Sequence, residues 1–225
     1  MEAPVREPLA VDVAIVGGGY TGLWTALALR ECDPAVSIAL LEAREIGDGP
    51  SGRNGGFLHG YWSSLPRLRA VLGDAGARQL AHASSQIVPR VRAFVESRNE
   101  DVWLREGGLL EVAATDAEDA AVERSLRAAR ELGAEEEALG LDREALRERI
   151  SSPRFRRGAY FRDGAIVQPA RLALALKRAA RDAGVEIFEH TPVTIVEPGI
   201  LRTPGGAVSA REIVLALNVW GRAGR

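Results

Sequence analysis

The residues best suited to chemistry are six consecutive positions rich in glycine, Gly17-Gly18-Gly19-Tyr20-Thr21-Gly22. They match G-x-G-x-x-G, the pattern of turns that bind the pyrophosphate of a dinucleotide. Gly17 allows a tight turn, Gly19 lets a phosphate approach the backbone, and Gly22 lets a helix pack closely on a strand. The phosphate would bind the free N–H groups at the start of that helix, where the helix dipole is positive.

A carboxylate occupies the second position that this chemistry requires. Glu42 follows the apolar segment Val36–Leu41 and lies twenty residues after Gly22, where an acid can accept hydrogen bonds from an adenosine ribose. An ordinary glycine turn followed by a surface glutamate would give the same letters, but here strand, helix and acid all have the required spacing. The fingerprint therefore predicts dinucleotide binding, and it leaves open whether the dinucleotide is NAD or FAD.

A second glycine-rich segment, Ser51-Gly52-Arg53-Asn54-Gly55-Gly56, bears on that choice. Its glycines, charged donor and amide make a loop whose backbone can lie flat against a ligand. A plain NAD-binding domain is expected to continue from its second strand into another helix, whereas residues 43–61 predict an extended loop. This loop favours FAD, with a solvent-exposed linker as the alternative interpretation.

The elements that must position these residues form a βαβ unit. Val11–Val16 predicts a buried parallel strand, Leu23–Arg30 a helix and Val36–Leu41 a second strand. The other predicted elements are helix 74–97 interrupted at Pro89, a hairpin over Val102–Val112, a helix 119–132 with a capping box of Thr115 and Glu118, a short helix capped by Asp142, strand Gly158–Phe161, a helix begun by Gln168-Pro169 and ended by Gly184, and strands Val185–Phe188, Val193–Val196 and Ile213–Leu217.

Composition argues against several other classes of protein. The 225 residues include 29 Lys and Arg against 31 Asp and Glu, a net charge of −2, which argues against nucleic acid or an anionic membrane as the partner. Cys32 is the single cysteine, so an internal disulfide is excluded, and no metal-ligand spacing is present. Without a secretory signal or a membrane-length apolar run, we expect a soluble, cytoplasmic protein that binds no metal.

Four segments, in this order, resemble FAD-dependent oxidoreductases of the D-amino-acid oxidase class: VDVAIVGGGYTGLWTALAL, LLEAREIGDGPSGRNGGF, DGAIVQPARLALALKRAARDAGVEIFEHTPV and IVLALNVW. Within that class the likeness is to glycine oxidase, sarcosine oxidase and gamma-glutamylputrescine oxidoreductase relatives. The resemblance implies an α/β fold with a Rossmann-like FAD-binding βαβ domain over residues 1–64 and 166–225, and part of an α+β substrate domain over residues 65–165. It implies an enzyme that oxidises the C–N bond of a small amine or amino acid by hydride transfer to flavin.

The same resemblance implies an extended FAD and a set of residues that bind it. The candidate cofactor-binding residues are Gly17, Gly19, Tyr20, Thr21, Gly22, Glu42, Ala43, Arg44, Ser51, Gly52, Arg53, Asn54, Gly55, Gly56, Val193, Ala216, Leu217 and Asn218. The first glycines would hold the pyrophosphate, Glu42 the ribose, and the segment from Ser51 the pyrophosphate and flavin ring. Arg44 would lie near the adenine and ribose, and the backbone of Val193 would contact the adenine. Leu217 stands where relatives often have Thr, so a hydroxyl contact there is in doubt, and no catalytic residue is assigned.

Members of this class are considerably longer, so we expect the sequence to be an N-terminal portion of such an enzyme. Its substrate partner would be a small amine or amino acid. Two alternatives stay open. One is an NAD(P)-dependent dehydrogenase, which the loop after Glu42 disfavours. The other is a truncated nucleotide-binding remnant without turnover.

Overall fold

The computed structural model of the chain describes residues 2–218. Residues 219–225, the last seven of the predicted FAD-binding domain, lie outside the described residues. In chain order the elements are β1 (Leu9–Val16), α1 (Tyr20–Cys32), β2 (Ile38–Leu41), β3 (Phe57–His59), α2 (Leu65–Ser84), α3 (Ile87–Ser97), β4 (Arg105–Glu106), β5 (Leu109–Ala113), α4 (Asp116–Glu131), β6 (Ala138–Leu141), α5 (Arg143–Arg147), β7 (Arg157–Phe161), β8 (Gly164–Ile166), α6 (Pro169–Asp182), β9 (Glu186–Phe188), β10 (Ile195–Glu197), β11 (Ile200–Thr203) and β12 (Gly206–Leu215).

The chain divides into two compact units. The first unit comprises the residues up to Gly55 and from Gln168 onward, and the second unit comprises Gly56–Val167. The division after Gly55 comes earlier than the predicted one after residue 64, because β3 pairs antiparallel with β8 of the second unit. The two ends of the second unit are joined directly, since the Val167 N–H donates to the Gly56 carbonyl at 2.9 Å.

The first unit is built on a six-stranded sheet in the order β10-β11-β12-β1-β2-β9. Strands β12, β1, β2 and β9 are parallel, and β10 and β11 extend the sheet as an antiparallel arm beside β12. All four residues of β2 are buried, as expected for an apolar strand inside a parallel sheet. The predicted α/β fold with its βαβ unit is confirmed.

Helices α1 and α6 belong to the first unit and are tied together at both ends. The Tyr20 hydroxyl donates to the Pro169 carbonyl at 2.9 Å, and the Arg30 Nε donates to the Ala183 carbonyl at 2.7 Å. Pro169 is the first residue of α6, and the Gln168 side chain accepts from the Arg171 N–H, as its capping position requires. Gly184 follows the helix with φ +81°, the left-handed conformation of a C-terminal cap.

The second unit contains two three-stranded antiparallel sheets, β3-β8-β4 and β5-β7-β6, with helices α2 to α5. Its core gathers large buried side chains that include Trp62, Leu65 and Phe161. The predicted capping box at Thr115 and Glu118 is confirmed, because each side chain accepts from the other's backbone N–H.

Two local predictions for the second unit are wrong. Residues 102–112 form no hairpin, because β4 pairs with β8 and β5 pairs with β7. The helix predicted over residues 74–97 is interrupted between Ser84 and Ile87 and not at Pro89, which lies in the first turn of α3, where a missing N–H breaks no helical hydrogen bond. Its predicted start agrees with the structure, because Gly73 has non-helical angles (φ +68°, ψ 179°) and divides α2 there into two helices. Among residues 2–218, no helix has both the length and the apolar character that crossing a bilayer requires.

Candidate functional site

The carboxyl ends of four parallel strands meet at one edge of the first unit's sheet. Val16 pairs with both Leu41 and Leu215, and Leu41 pairs with Phe188. The residues that directly follow these four strand ends are Gly17, Glu42, Ala216 and Glu189. Ligands of open α/β sheets bind outside the carboxyl ends of the strands. This carboxyl edge is therefore the candidate functional site.

The first glycine segment makes the turn from β1 into α1. Gly17 has φ +111°, and a Cβ there would lie 2.6 Å from the Ala216 carbonyl oxygen. A Cβ on Gly22 would lie 2.0 Å from the Gly17 carbonyl oxygen and 3.3 Å from the Ile15 side chain. Both distances are shorter than packing allows, so these positions require glycine for the turn and for the approach of α1 to the sheet.

The start of α1 has the features of an anion site. Its N-cap residue is Gly19, which has no side chain to cap the helix, and no acidic residue stands in the first turn. The Ser51 Oγ accepts from the Tyr20 N–H at 3.0 Å, and a Cβ on Gly19 would lie 2.9 Å from that oxygen. The structure thus places the second glycine segment, through Ser51, beside the first. Thr21, the next residue of the helix, is exposed.

Glu42 holds two backbone groups of the carboxyl edge. Its Oε2 accepts from the Gly18 N–H at 2.8 Å, and its Oε1 accepts from the Arg44 N–H at 3.0 Å. An ionised carboxylate has about four acceptor positions, so both oxygens keep capacity for further donors. The neighbouring Ala43 and Arg44 are exposed.

The rest of the second glycine segment is held by local bonds. Pro50–Gly52 is a 3₁₀ turn, and the Asn54 amide donates to the Pro50 and Ser51 carbonyls. Arg53 lies 3.6 Å from the Asp48 carboxylate with most of its side chain in solvent, and Gly55 is also exposed. Gly56 belongs to the second unit, where it is buried with φ +76°.

Tyr20 connects α1 to its surroundings. Burial raises the pKa of its hydroxyl, and a hydrogen bond with the Asn54 side chain opposes that rise. The phenol therefore stays neutral and donates to the Pro169 carbonyl. This contact fixes the first turn of α1 relative to the start of α6.

The candidate residues from the C-terminal part of the sequence lie near the same strands. The Ala216 N–H donates to the Val16 carbonyl at 2.8 Å, which places residues 216–218 directly beside the glycine turn. Leu217 and Val193 are half-buried and pack against an apolar cluster of the first unit that contains Val16 and Leu41. Asn218 has φ +51°, in the left-handed region that Asn tolerates better than most residues.

The sequence interpretation missed Glu189. It lies one residue after β9, at the same edge as Glu42, and it is buried. The available signal was the one used for Glu42, a carboxylate directly after a short apolar strand. Within residues 2–218, no group of three or more His, Cys, Asp or Glu side chains is arranged to hold a metal ion.

Comparison with known proteins identifies the family. The model of the DAO family, described as FAD dependent oxidoreductase, matches residues 12–225. The chain belongs to the DAO family of FAD-dependent oxidoreductases. FAD is the cofactor of this family, so membership favours a flavin over the NAD alternative for the DAO chain.

Two relatives and one solved structure illustrate the likeness. Gamma-glutamylputrescine oxidoreductase of Escherichia coli is 32% identical over 220 residues, which cover 96% of the DAO chain and 51% of the relative. Glycine oxidase of Bacillus licheniformis is 26% identical, over 93% of the chain and 54% of the relative. The crystal structure of glycine oxidase from Geobacillus kaustophilus superposes with a TM-score of 0.79 and 27% identity, over 92% of the chain and 55% of that protein. The chain spans about half the length of the curated relatives it matches.

Proposed function

We propose that the first unit binds FAD at its carboxyl edge, as part of an oxidoreductase that oxidises the C–N bond of a small amine or amino acid. The observation that carries the proposal is the hydrogen bond from the Tyr20 N–H, in the first turn of α1, to the Ser51 Oγ beside the Gly17 turn, at a helix start whose N-cap Gly19 has no side chain. The second unit would be a portion of the substrate domain. Family membership and relatives named for amine and amino-acid substrates support the same interpretation.

The residues at the first turn of α1 fit a pyrophosphate. The N–H groups at a helix start and the positive end of its dipole attract an anion, and no carboxylate in the first turn opposes one. Gly17, Gly19 and Gly22 would let the phosphates approach the backbone. The Ser51 Oγ already accepts from the Tyr20 N–H, so its own proton is available to a phosphate oxygen.

Glu42 would bind the adenosine ribose with its remaining acceptor positions. Because its carboxylate is held by the Gly18 and Arg44 N–H groups, it would meet the ribose hydroxyls already oriented. The exposed guanidinium of Arg44 would lie near the adenine and ribose, with Ala43 beside it, and the Val193 backbone would contact the adenine.

The remaining candidates would line the path from the pyrophosphate to the flavin ring. They are Tyr20, Thr21, Gly52, Arg53, Asn54, Gly55, Gly56, Ala216, Leu217 and Asn218. Arg53 would contribute positive charge, and the Asn54 amide holds the turn that presents Ser51. Leu217 packs against the apolar cluster, so it would contribute packing and its backbone rather than a hydroxyl.

FAD, when bound, would supply the acceptor for the hydride, which carries two electrons, that leaves the amine carbon. The chain's part is to bind the dinucleotide, fix its orientation and exclude water from it. The resulting imine would be hydrolysed by water.

Two measurements test the proposal. FAD and NAD are titrated separately into the 225-residue chain, and tighter binding of FAD is expected. The FAD-loaded chain is then mixed without oxygen with a panel of small amines and amino acids, and loss of the oxidised flavin absorbance is recorded. Equal or tighter binding of NAD would refute the flavin assignment, and reduction of the bound flavin by any of these substrates would exclude the remnant without turnover.

A further inference from the structure

Glu189 is a buried carboxylate at the carboxyl edge whose place in the site no motif indicates. Its side chain is 1% exposed. Its neighbour Phe188 accepts the Glu42 N–H, and Thr191 donates its N–H to the Glu42 carbonyl, both at 2.8 Å. Glu189 therefore lies on the segment that pairs directly with the ribose candidate and the loop that follows it.

Three separate segments of the first unit bind the Glu189 carboxylate. Lys177 of α6 places its Nζ 2.8 Å from Oε2. The Glu2 N–H also donates to Oε2, at 2.7 Å, and the Ile46 N–H donates to Oε1 at 2.8 Å. Burial by itself raises the pKa of Glu189, but the Lys177 ammonium and the two N–H groups together hold it below its ordinary value. The carboxylate is thus charged, and both of its oxygens accept hydrogen bonds.

Ile46 connects the Glu189 carboxylate to the glycine turn, because its N–H donates to Glu189 and its side chain lies beside Gly18. Its side chain is buried, and a Cβ on Gly18 would lie 2.7 Å from its Cγ1. The Gly18 N–H is the group that donates to the Glu42 Oε2. A path of direct contacts therefore runs from Glu189 through Ile46 to Gly18 and Glu42.

We propose that Glu189 is a positioning residue of the cofactor site, which holds Ile46 against Gly18 and so sets the backbone of the pyrophosphate turn and the carboxylate of Glu42. The proposal rests on the proposed function, in which this edge binds FAD. Stability alone is a weak reason for the arrangement, because apolar residues of similar volume often replace a buried ion pair without loss. Apolar residues in place of Glu189 and Lys177 would leave the Ile46 N–H without its acceptor.

The substitution Glu189→Gln tests the proposal with little change in volume. The amide has one acceptor oxygen and an NH₂ group, so either the Ile46 N–H or the Glu2 N–H loses its acceptor. We expect the FAD dissociation constant, measured by quenching of flavin fluorescence, to rise by about tenfold, as for the loss of one charge-assisted bond. The matched control is Glu186→Gln, an exposed glutamate at the start of the same strand, which should leave the constant unchanged.

A pH profile separates positioning from a merely structural role. The charged and titratable groups around Glu189 are Lys177, Glu2, Arg181 near Glu2, and the exposed pair of His190 and Glu45. In Lys177→Met the Glu189 carboxylate loses its cation and takes up a proton at higher pH. FAD affinity should then fall with decreasing pH in a range where the unsubstituted chain is constant. The double variant Lys177→Met/Glu189→Gln should lose that pH dependence.

A second variant keeps the proposal testable if Glu189→Gln does not fold. Ile46→Ala removes the contact with Gly18 and should weaken FAD binding to a similar extent. Unchanged FAD affinity in folded Glu189→Gln or in folded Ile46→Ala would overturn the proposal, even if the free energy of unfolding falls. If the unsubstituted chain binds no FAD, the proposed function itself fails, and that result is distinct from a loss confined to the variants.

Discussion

Replacing Glu42 tests the site most directly, because the structure gives this carboxylate two backbone donors and spare acceptor capacity. Glu42→Ala would remove its bonds to the ribose hydroxyls and to the Gly18 and Arg44 N–H groups. A hydrogen bond to a charged group contributes about 1.5–3 kcal/mol. Loss of one such bond to the ribose corresponds to a rise of roughly 10- to 100-fold in the FAD dissociation constant.

The assay is an FAD titration followed by flavin fluorescence, together with urea unfolding of the FAD-free chain. The unfolding experiment separates loss of the Gly18 and Arg44 bonds, which are present without cofactor, from loss of the ribose bonds. Glu45→Ala is the matched control, because Glu45 lies three residues further along and its carboxylate makes an exposed contact with His190 at 3.5 Å. Such a pair contributes about 0–1 kcal/mol, so its loss should change the constant by at most about fivefold.

An unchanged FAD dissociation constant in folded Glu42→Ala would refute the ribose assignment. Glu42 would then be a residue that only holds the loop after β2 against the glycine turn. A rise of the same size in Glu45→Ala would also contradict the reasoning, because it would attribute the effect to the general charge of the loop.

Three further predictions concern stability. Gly22→Ala should lower the free energy of unfolding by about 1–3 kcal/mol, because its Cβ would lie 2.0 Å from the Gly17 carbonyl oxygen. The control Gly49→Ala should not lower it, because a Cβ there would meet nothing within 4 Å. Urea unfolding of both variants measures the difference. Thr115→Ala removes the capping box of α4 and should lower the same free energy by about 1 kcal/mol, while full stability would exclude a role for the cap. Burial raises the pKa of Asp163, whose buried Oδ2 has no hydrogen-bond partner among residues 2–218. A raised pKa makes ionisation cost stability above the unfolded-state pKa, so the stability of Asp163→Asn relative to the unsubstituted chain should increase from pH 4 to 7, and a constant difference would contradict this.

The βαβ unit was predictable because its signals are local. Gly17 and Gly22 satisfy geometric requirements that no other residue meets, and the apolar run of β2 is buried at every position. Thr115 and Asp142 were likewise predictable as helix caps, because a cap acts within a few residues of its own position.

The prediction of a hairpin over residues 102–112 was wrong because the strand pairing there is not local. Gly107 and Gly108 lie in the middle of this range, where a hairpin would turn, but their N–H groups donate to the Gly164 carbonyl. A Cβ on Gly164 would lie 2.3 Å from the Gly108 carbonyl carbon. The glycines serve a close approach between strands far apart in sequence, and no local pattern reveals the partner. Glu189 was missed in the same way, because its importance depends on Lys177 and Ile46, which only the fold places around it.

The hydrogen bond between Gly56 and Val167 has a consequence for how the chain folds. During synthesis β1 and β2 emerge early, but β12 and β9, which flank them, come only after the whole second unit, so β1 keeps an open edge meanwhile. Once the second unit folds, that bond holds its two ends together and replaces a long flexible loop by a short link. The entropy of closing the loop is then already lost, and β9 and β12 can reach their partners quickly. Folding of the first unit is therefore expected to follow folding of the second unit, which is inserted into it.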